Sequence, residues 1–303
     1  MEIAMIGLGK MGAGMVSRLL KGGHRVVVHD KNPAAVRAAE AEGAKGAHTL
    51  EEIAKKLSPP RAAWVMVPAG EPTGRILNDL SGLLSPGDVI VDGGNSWYRD
   101  TVRRAEVLAE KGILLIDAGT SGGIGGRTAG YCLMIGGDGE AAERLRPVFR
   151  TLAPAPDTGW GMVGPSGAGH FVKMIHNGIE YGLMEAYAEG FELMRRKTDF
   201  NLDLARVAEI WRTGSVVRSW LLDLIAGGLA ENPDLEGIAA QVPDSGEGRW
   251  TVSEAVDLGC AIPCITLALQ RRFRSRDAAP FAEKLLAALR GQFGGHEVKA
   301  EES

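Results

Sequence analysis

One predicted helix carries a concentration of chemically active side chains. The helix is predicted over residues 166–196, and its stretch 167–181 contains Lys173, His176, Asn177, Glu180 and Tyr181. At about 100° of rotation per residue, Lys173, Asn177 and Glu180 fall in one narrow sector, and His176 and Tyr181 flank it. One helix face therefore presents an amine, an imidazole, an amide, a carboxyl group and a phenol.

A solvent-exposed polar face would also place a lysine and a glutamate in one sector of a helix. It does not account for Asn177 and Gly178, because both are poor residues for a helix interior, and glycine costs up to about 1 kcal/mol relative to alanine. We therefore interpret this helix face as a site. Gly167 and Gly169, near the helix start, are expected to leave room for a ligand or a nicotinamide ring.

The residue types suit oxidation of a secondary alcohol followed by loss of CO₂. A base must take the hydroxyl proton while hydride leaves, and a lysine partly buried beside a cofactor can do so because burial lowers the pKa of an amine. The protonated lysine then polarises the new ketone, and a carboxylate β to that ketone leaves as CO₂. A second group must protonate the carbon left behind. We assign Lys173 to the first task and Glu180 to the second, and we expect no metal.

A glycine-rich turn near the N-terminus predicts a dinucleotide site. The run Gly7-Leu8-Gly9-Lys10-Met11-Gly12 follows a predicted strand and opens a predicted helix. Its glycines permit a tight turn, close approach of backbone N–H groups to a pyrophosphate, and close packing of helix on strand. The motif alone is weak evidence, and its place inside a strand–helix–strand unit favours the dinucleotide interpretation.

Asp30, at the end of the second predicted strand, indicates a preference for NAD over NADP. A carboxylate there accepts hydrogen bonds from the ribose hydroxyls and repels a 2′-phosphate. Two alternatives stay open. Lys31 is adjacent and would soften that repulsion, so that NADP is also used, or Asp30 only caps the helix that begins at Pro33.

The elements that must position these residues change character half-way along the chain. Short apolar runs predict buried strands at 2–8, 25–30, 61–68, 88–92, 113–118 and 131–136. Helical stretches separate them, near 10–22, 33–42, 49–57, 71–84, 98–111 and 139–152. This alternation predicts an α/β domain over residues 1–164, a Rossmann-type, doubly wound parallel sheet. Beyond it, 165–303 is expected to be all-helical, with helices at 166–196, 203–213, 215–230, 251–272 and 278–292.

Composition narrows the class of protein and its partners. The chain has 303 residues, of which 24% are charged and 45% hydrophobic, which is ordinary for a globular protein. A formal net charge of -4 argues against nucleic acid as a partner, because no basic excess exists to neutralise phosphates. No apolar run approaches the roughly 20 residues that span a bilayer. We expect no secretory signal, because the apolar residues 1–8 run straight into a glycine-rich turn. The three cysteines suit a reducing cytoplasm.

These motifs closely resemble the 6-phosphogluconate dehydrogenases, a branch of the β-hydroxyacid dehydrogenase superfamily. The glycine motif and Ser121-Gly122-Gly123 are shared across the superfamily, whereas Asp92-Gly93-Gly94-Asn95-Ser96 and the segment from Lys173 to Tyr181 are specific to the phosphogluconate branch. Further matching segments are Gly248-Arg249-Trp250-Thr251 and the C-terminal Arg290, Phe293-Gly294 and His296. The resemblance covers nearly the whole chain.

The resemblance implies a role for each matching residue. Lys173 would be the general base and then acid, and Glu180 the final proton donor. The sugar acid and its reacting carbons would be positioned by Asn95, Ser121, Gly122, Gly123, His176 and Asn177. Tyr181 would bind the phosphate end. Met11, the backbone around Val67, and Asn95 would border NAD. The implied partner is a small anionic phosphosugar acid.

The C-terminal segment resembles a part of the family that completes the phosphate site of a neighbouring subunit. Arg290 and His296 are the matching residues, and arginine forks well onto phosphate oxygens. A basic helix end favoured by the helix dipole is the alternative. The resemblance implies a homodimer or homotetramer. Arg274 is a further candidate phosphate ligand, but its register stays open because other arginines crowd the same helix, namely Arg271, Arg272 and Arg276.

The sequence departs from the longer family members in two respects. It lacks the second half of their large helical domain, so it resembles a short form, and a lysine-and-threonine stretch is replaced by residues 244–248, which leaves any substrate contact there open. Two rival functions are open to a chain with this fold. One is another β-hydroxyacid dehydrogenase, such as one acting on 3-hydroxyisobutyrate. The other is a non-catalytic NAD-binding protein, which loss of Lys173 or Glu180 would have indicated.

Overall fold

The computed structural model describes residues 1–294 and 297–299. The chain divides into two compact units, residues 1–176 and 177–303. The division falls inside one long helix rather than at the sequence-predicted boundary after residue 164. Each unit is built on its own core.

The first unit contains an eight-stranded sheet with the order β3-β2-β1-β4-β5-β6-β7-β8. The strands are β1 (Glu2–Ile6), β2 (Arg25–His29), β3 (Lys45–Gly46), β4 (Ala62–Val65), β5 (Val89–Asp92), β6 (Leu114–Ser121), β7 (Cys132–Gly137) and β8 (Trp160–Gly164). All neighbouring pairs are parallel except β6 and β7, which are antiparallel. The predicted doubly wound sheet is confirmed, and the expectation that it is parallel throughout is wrong at β7.

Seven helices flank this sheet. They are α1 (Lys10–Lys21), α2 (Pro33–Ala41), α3 (Leu50–Lys56), α4 (Glu71–Ser81), α5 (Tyr98–Ala109), α6 (Gly126–Ala129) and α7 (Gly139–Leu152). The strands contribute to two apolar clusters, since Ile3 and Met5 of β1 belong to one and Ala4 and Ile6 to the other. Burial on both faces explains why the strands read as continuous apolar runs. β3, β8 and α6 are too short or too glycine-rich for such a run, and the sequence did not predict them.

The remaining helices begin with α8 (Ala168–Arg196), which crosses the boundary between the units. It is followed by a 3₁₀ turn (Thr198–Phe200) and by α9 (Leu204–Trp211), α10 (Trp220–Glu231), α11 (Glu247–Asp257), α12 (Pro263–Arg274) and α13 (Phe281–Gly294). The all-helical character is confirmed. Over the described residues, no helix combines the length and the apolar composition that a membrane crossing requires.

Two helix predictions in this half need correction. The single helix expected over 251–272 is two helices, because Gly259 takes φ +63° beyond the end of α11 and Cys260 N–H donates to Ala255 O at 2.8 Å. This is a glycine C-cap, and Pro263 then begins α12 at a position where its missing N–H is harmless. The helix expected from residue 215 begins only at Trp220, where the Ser219 side chain caps it.

Candidate active site

The glycine-rich turn between β1 and α1 has the geometry that its motif predicts. Gly7 takes φ +96°, and a Cβ there would lie 2.3 Å from Met66 O; a Cβ on Gly12 would lie 2.0 Å from Gly7 O. These two glycines are therefore required by the turn and by close packing. Gly9 faces open space and precedes a helix with no side-chain cap and no acidic residue in its first turn. This helix start suits an anionic pyrophosphate.

Asp30 is joined to the same turn. Its Oδ2 accepts a hydrogen bond from Leu8 N–H at 2.6 Å, and its Oδ1 accepts one from Asn32 N–H at 2.7 Å. The cap of α2 is Asn32, whose side chain accepts from Ala34 N–H at 3.0 Å, so the alternative that Asp30 serves as that cap is wrong. The carboxylate is half-buried at the end of β2 and lies beside the glycine turn.

The loop after β5 is shaped by a buried aspartate. Asp92 accepts hydrogen bonds from Ser96 Oγ at 2.8 Å and from Gly94 N–H at 3.1 Å, and its Oδ2 lies 3.6 Å from Arg104 Nη1. Arg104 also donates to Gly70 O at 2.8 Å, which ties this loop to the segment after β4 that contains Val67. Asn95 is half-buried within the loop. Hydrogen bonds to Asp92, the last residue of β5, thus shape the loop in which Asn95 lies.

The Ser121-Gly122-Gly123 motif ends β6. Gly122 and Gly123 take φ +133° and +50°, so the chain turns sharply there. A Cβ on Gly123 would meet nothing within 4 Å, whereas one on Gly122 would lie 3.2 Å from Gly130 O. Open space at Gly123 is compatible with the substrate role that the resemblance implies.

Lys173 lies on α8 and is 8% exposed. Its Nζ is 3.4 Å from His176 Nδ1, one turn along the helix. His176, Asn177 and Glu180 are each partly buried. Because α8 is continuous from Ala168 to Arg196, Lys173 and Glu180 lie two turns apart on one helix. Neither of the two residues assigned to catalysis is on a fully exposed surface.

Three glycines of α8 and its approach have a structural reason that the sequence analysis did not identify. A Cβ on Gly167 would lie 2.7 Å from Val102 Cγ2, one on Gly169 would lie 2.4 Å from Met134 O, and one on Gly178 would lie 2.8 Å from Thr251 Cγ2. These glycines let neighbouring elements pack closely. The expectation that Gly167 and Gly169 leave room for a ligand is therefore wrong, because protein atoms occupy that space.

Tyr181 contacts a residue that sequence analysis did not select. The Cζ atom of Arg272, on α12, lies 3.5 Å from the centroid of the Tyr181 ring. A Cβ on Gly248 would lie 2.6 Å from the same ring, so α11 confines it as well. The ring is buried, and its hydroxyl has no hydrogen-bond partner among the described residues. A buried phenol next to a guanidinium is suited to an anionic group.

The other basic candidates lie differently. Arg274 donates to Glu283 Oε1 at 2.9 Å and to Asp277 O at 2.6 Å. Arg290 is exposed on α13, and His296 lies outside the described residues. The roles of Arg274, Arg290 and His296 stay predictions.

The segment that departs from the longer family members is held to α11 and α12. Asp244 accepts two hydrogen bonds from Arg249, at 2.7 and 3.0 Å, and lies 3.0 Å from Arg276 Nη2. The hydrogen bonds from Arg249 hold the pKa of the Asp244 carboxyl below its usual value. Arg272 donates to the carbonyl oxygen of Pro243, the residue just before this segment, at 3.0 Å. This carboxylate therefore serves an ion-pair network beside Arg272.

Comparison with known proteins decides the family. Residues 2–163 match the NAD binding domain of 6-phosphogluconate dehydrogenase, and residues 169–284 match the 6-phosphogluconate dehydrogenase C-terminal domain. The chain belongs to the 6-phosphogluconate dehydrogenase family. A Haloferax volcanii relative named as the NAD⁺-dependent, decarboxylating 6-phosphogluconate dehydrogenase is 44% identical over 98% of both chains. The Bacillus subtilis protein YqeC, which carries the family's name, is 46% identical over 98% of both.

A solved family structure shows the same fold. The Plasmodium falciparum 6-phosphogluconate dehydrogenase, studied in its apo form and with NADP⁺ or 6-phosphogluconate, superposes with a TM-score of 0.83 at 27% identity. The match covers all of this chain and 66% of that one. The chain thus spans about two thirds of that protein's length, and nearly the full length of the two relatives named above.

Proposed function

We propose that the protein oxidises 6-phosphogluconate with NAD and decarboxylates it to ribulose 5-phosphate. The observation that carries this proposal is the placement of a buried Lys173 two turns from Glu180 on α8. The names of the two short relatives support the same reaction.

The first unit supplies the cofactor site. The N-terminus of α1 and the open space at Gly9 accommodate a pyrophosphate, and Asp30 faces the ribose end of a dinucleotide. NAD, when bound, accepts the hydride from the substrate. Met11, Val67 and Asn95 border the site by family resemblance. The carboxylate at position 30 favours NAD over NADP because it disfavours a 2′-phosphate.

Proton transfer falls to two side chains of α8. Lys173 Nζ takes the proton of the substrate hydroxyl and, as an ammonium group, stabilises the developing charge on the ketone oxygen. His176 Nδ1 lies 3.4 Å from that amine and restricts its position. Glu180 donates the proton to the carbon that CO₂ has left. Two groups with opposite proton tasks are needed in one reaction, and they occupy one helix face.

We assign binding of the substrate's phosphate end to Tyr181 and the residues around it. We add Arg272 to the predicted ligands, because its guanidinium lies over the Tyr181 ring and Tyr181 brings a buried hydroxyl without a partner. Ser121, Gly122, Gly123, Asn95, His176 and Asn177 would position the sugar acid. Arg274 remains a candidate phosphate ligand. It is less available for that role because it already donates hydrogen bonds to Glu283 and to the Asp277 carbonyl.

Assembly into a homodimer or homotetramer is part of this proposal. Large apolar side chains are exposed on the second unit, including Leu193 at 72%, Trp220 at 54% and Leu224 at 56%. Trp220 and Leu224 lie one turn apart on α10, and adjoining exposed apolar side chains of this kind support a protein–protein contact. Arg290 and His296 would then complete the phosphate site of a neighbouring subunit. Sedimentation of the purified protein tests the assembly, and a monomer at micromolar concentration would contradict it. We place the enzyme in the cytoplasm, where its three exposed thiols remain reduced.

The deciding experiment is an assay of the purified protein with 6-phosphogluconate and either NAD or NADP. Reduced cofactor and CO₂ are followed together. We expect one CO₂ for each NADH and a higher kcat/KM with NAD. Hydride transfer without CO₂, or faster turnover of 3-hydroxyisobutyrate, would contradict the proposal and favour another β-hydroxyacid dehydrogenase. Binding of NAD without turnover of either acid would favour a non-catalytic protein.

A further inference from the structure

The start of α8 is capped from a distant strand. The helix begins at Ala168 and has no acidic residue in its first turn, and the residue before it, Gly167, has no side chain to cap it. Asp117, in β6, supplies both acceptors. Its Oδ1 accepts from Gly167 N–H at 2.8 Å, and its Oδ2 accepts from His170 N–H at 2.9 Å. A carboxylate at this place accepts hydrogen bonds from N–H groups that have no partner within the helix. Its negative charge also interacts favourably with the positive end of the helix dipole.

The carboxylate occupies a closed space. Asp117 is 0% exposed, and its partner across β7 is Gly136, where a Cβ would lie 2.6 Å from Asp117 Oδ1. A buried carboxylate is strongly unfavourable unless hydrogen bonds compensate for lost hydration. Here the two helix N–H groups do so. Removal of either oxygen therefore leaves a buried donor unsatisfied.

The capped turn lies directly against the strand that carries Asp117. A Cβ on Gly119 would lie 2.5 Å from Lys173 Cβ and 2.6 Å from Gly169 O. The stem of Lys173 thus rests on β6, two residues beyond Asp117. A second contact fixes the same turn, since His170 Nδ1 lies 2.7 Å from Thr101 Oγ1 of α5, with both side chains buried. A shift of the helix start would move the Lys173 amine with it.

We infer that Asp117 is a positioning residue for Lys173, acting through the capped first turn of α8. The inference rests on the proposed function, in which the Lys173 amine takes the substrate's hydroxyl proton. Misplacement of a catalytic group by about 1 Å can lower the rate about 100-fold. Asp117 does not touch substrate or cofactor in this account. It sets the depth at which the amine lies.

The test compares Asp117→Asn with a matched control. The amide has only one oxygen, so its NH₂ group must face one of the two helix N–H groups. Asp88 is the control, because it is also buried and accepts from Arg61 N–H at 2.6 Å and from Ser85 N–H at 2.9 Å, in contacts that involve no part of α8. Asp88→Asn is expected to lower thermal stability without changing kcat for the folded enzyme more than twofold.

For Asp117→Asn we expect kcat to fall by at least about tenfold, with the KM for 6-phosphogluconate and the Kd for NAD changed less than about threefold. If the role of Asp117 were purely structural, the substitution would lower Tm without lowering kcat selectively. Asp117→Ala removes both acceptors without placing an NH₂ group against a helix N–H group, and it should lower kcat in the same way. Equal kcat in wild type and Asp117→Asn would overturn the inference, as would failure of both variants to fold. An inactive wild type would instead contradict the proposed function.

Discussion

The guanidinium of Arg272 lies over the ring of Tyr181, with 3.5 Å between its Cζ atom and the ring centroid. Arg272→Ala should therefore raise the KM for 6-phosphogluconate by about tenfold or more, because a charged hydrogen bond contributes about 1.5–3 kcal/mol. The KM for unphosphorylated gluconate should change little. Steady-state kinetics with both acids measures the difference. Arg271→Ala is the control, since Arg271 is exposed and pairs with Glu185. An equal effect of both variants would argue against a phosphate role for Arg272.

A second prediction concerns cofactor preference. Asp30 accepts a hydrogen bond from Leu8 N–H in the glycine turn, where we propose that the dinucleotide binds. Asp30→Asn should lower the ratio of kcat/KM with NAD to that with NADP by about tenfold, and some affinity for both cofactors should be lost because the turn is held less firmly. Lys31→Ala tests the alternative, as it should weaken NADP only. Wild type that uses NADP as efficiently as NAD would refute the role given to Asp30.

Site features that depend only on neighbouring residues could be predicted from the sequence, and features that depend on tertiary contacts could not. Lys173 and Glu180 were found because helical periodicity needs no tertiary information, and Gly7 to Gly12 because the turn is local. Arg272 was missed because Arg271 and Arg274 on α12, and Arg276 just beyond its end, are chemically equivalent to it until the fold shows which arginine meets Tyr181.

Asp117 was missed for a related reason. An aspartate inside an apolar strand is the only local sign of its role, and its two partners lie about 50 residues further along the chain. Gly178 was assigned to the site because glycine is costly within a helix, yet close packing on Thr251 explains it. Packing between distant segments is the information that periodicity cannot supply.

Acid stability provides a third prediction. His24 is 8% exposed, and burial, with the N-terminal ammonium group second, lowers its pKa from 6.5. The unfolded chain therefore binds more protons at this site, so the contribution of His24 to stability is present above about pH 6.5 and is lost as the pH falls through the folded pKa. His24→Gln should flatten the fall in the free energy of unfolding between about pH 7.5 and 5. Urea titrations at about pH 7.5 and about pH 5 measure the free energy of unfolding at the two ends of this range.

The exposed His48 is the control for that titration. His48→Gln should retain the wild-type pH dependence. An unchanged slope in His24→Gln would show that other groups govern acid stability.

A fourth prediction distinguishes the proposed proton donor, Glu180, from a second partly buried glutamate of the same helix, Glu185. Glu180→Gln should lower kcat about 10²- to 10⁴-fold, since a positioned acid contributes on that scale, while the Kd for NAD is unchanged. Glu185, also on α8, forms an ion pair with Arg271 of α12, and Glu185→Gln should leave kcat within about twofold of wild type. Equal kcat in the two variants would remove Glu180 from the mechanism.

The most direct test of the account is kcat of Lys173→Ala with 6-phosphogluconate and NAD, measured beside NAD binding on the same preparation. Lys173 is buried on α8 and is the only base assigned to the substrate hydroxyl. We predict that kcat falls by about 10²- to 10⁴-fold and that the Kd for NAD stays within about twofold of wild type. A variant that binds NAD and retains a tenth or more of the wild-type kcat would contradict the account.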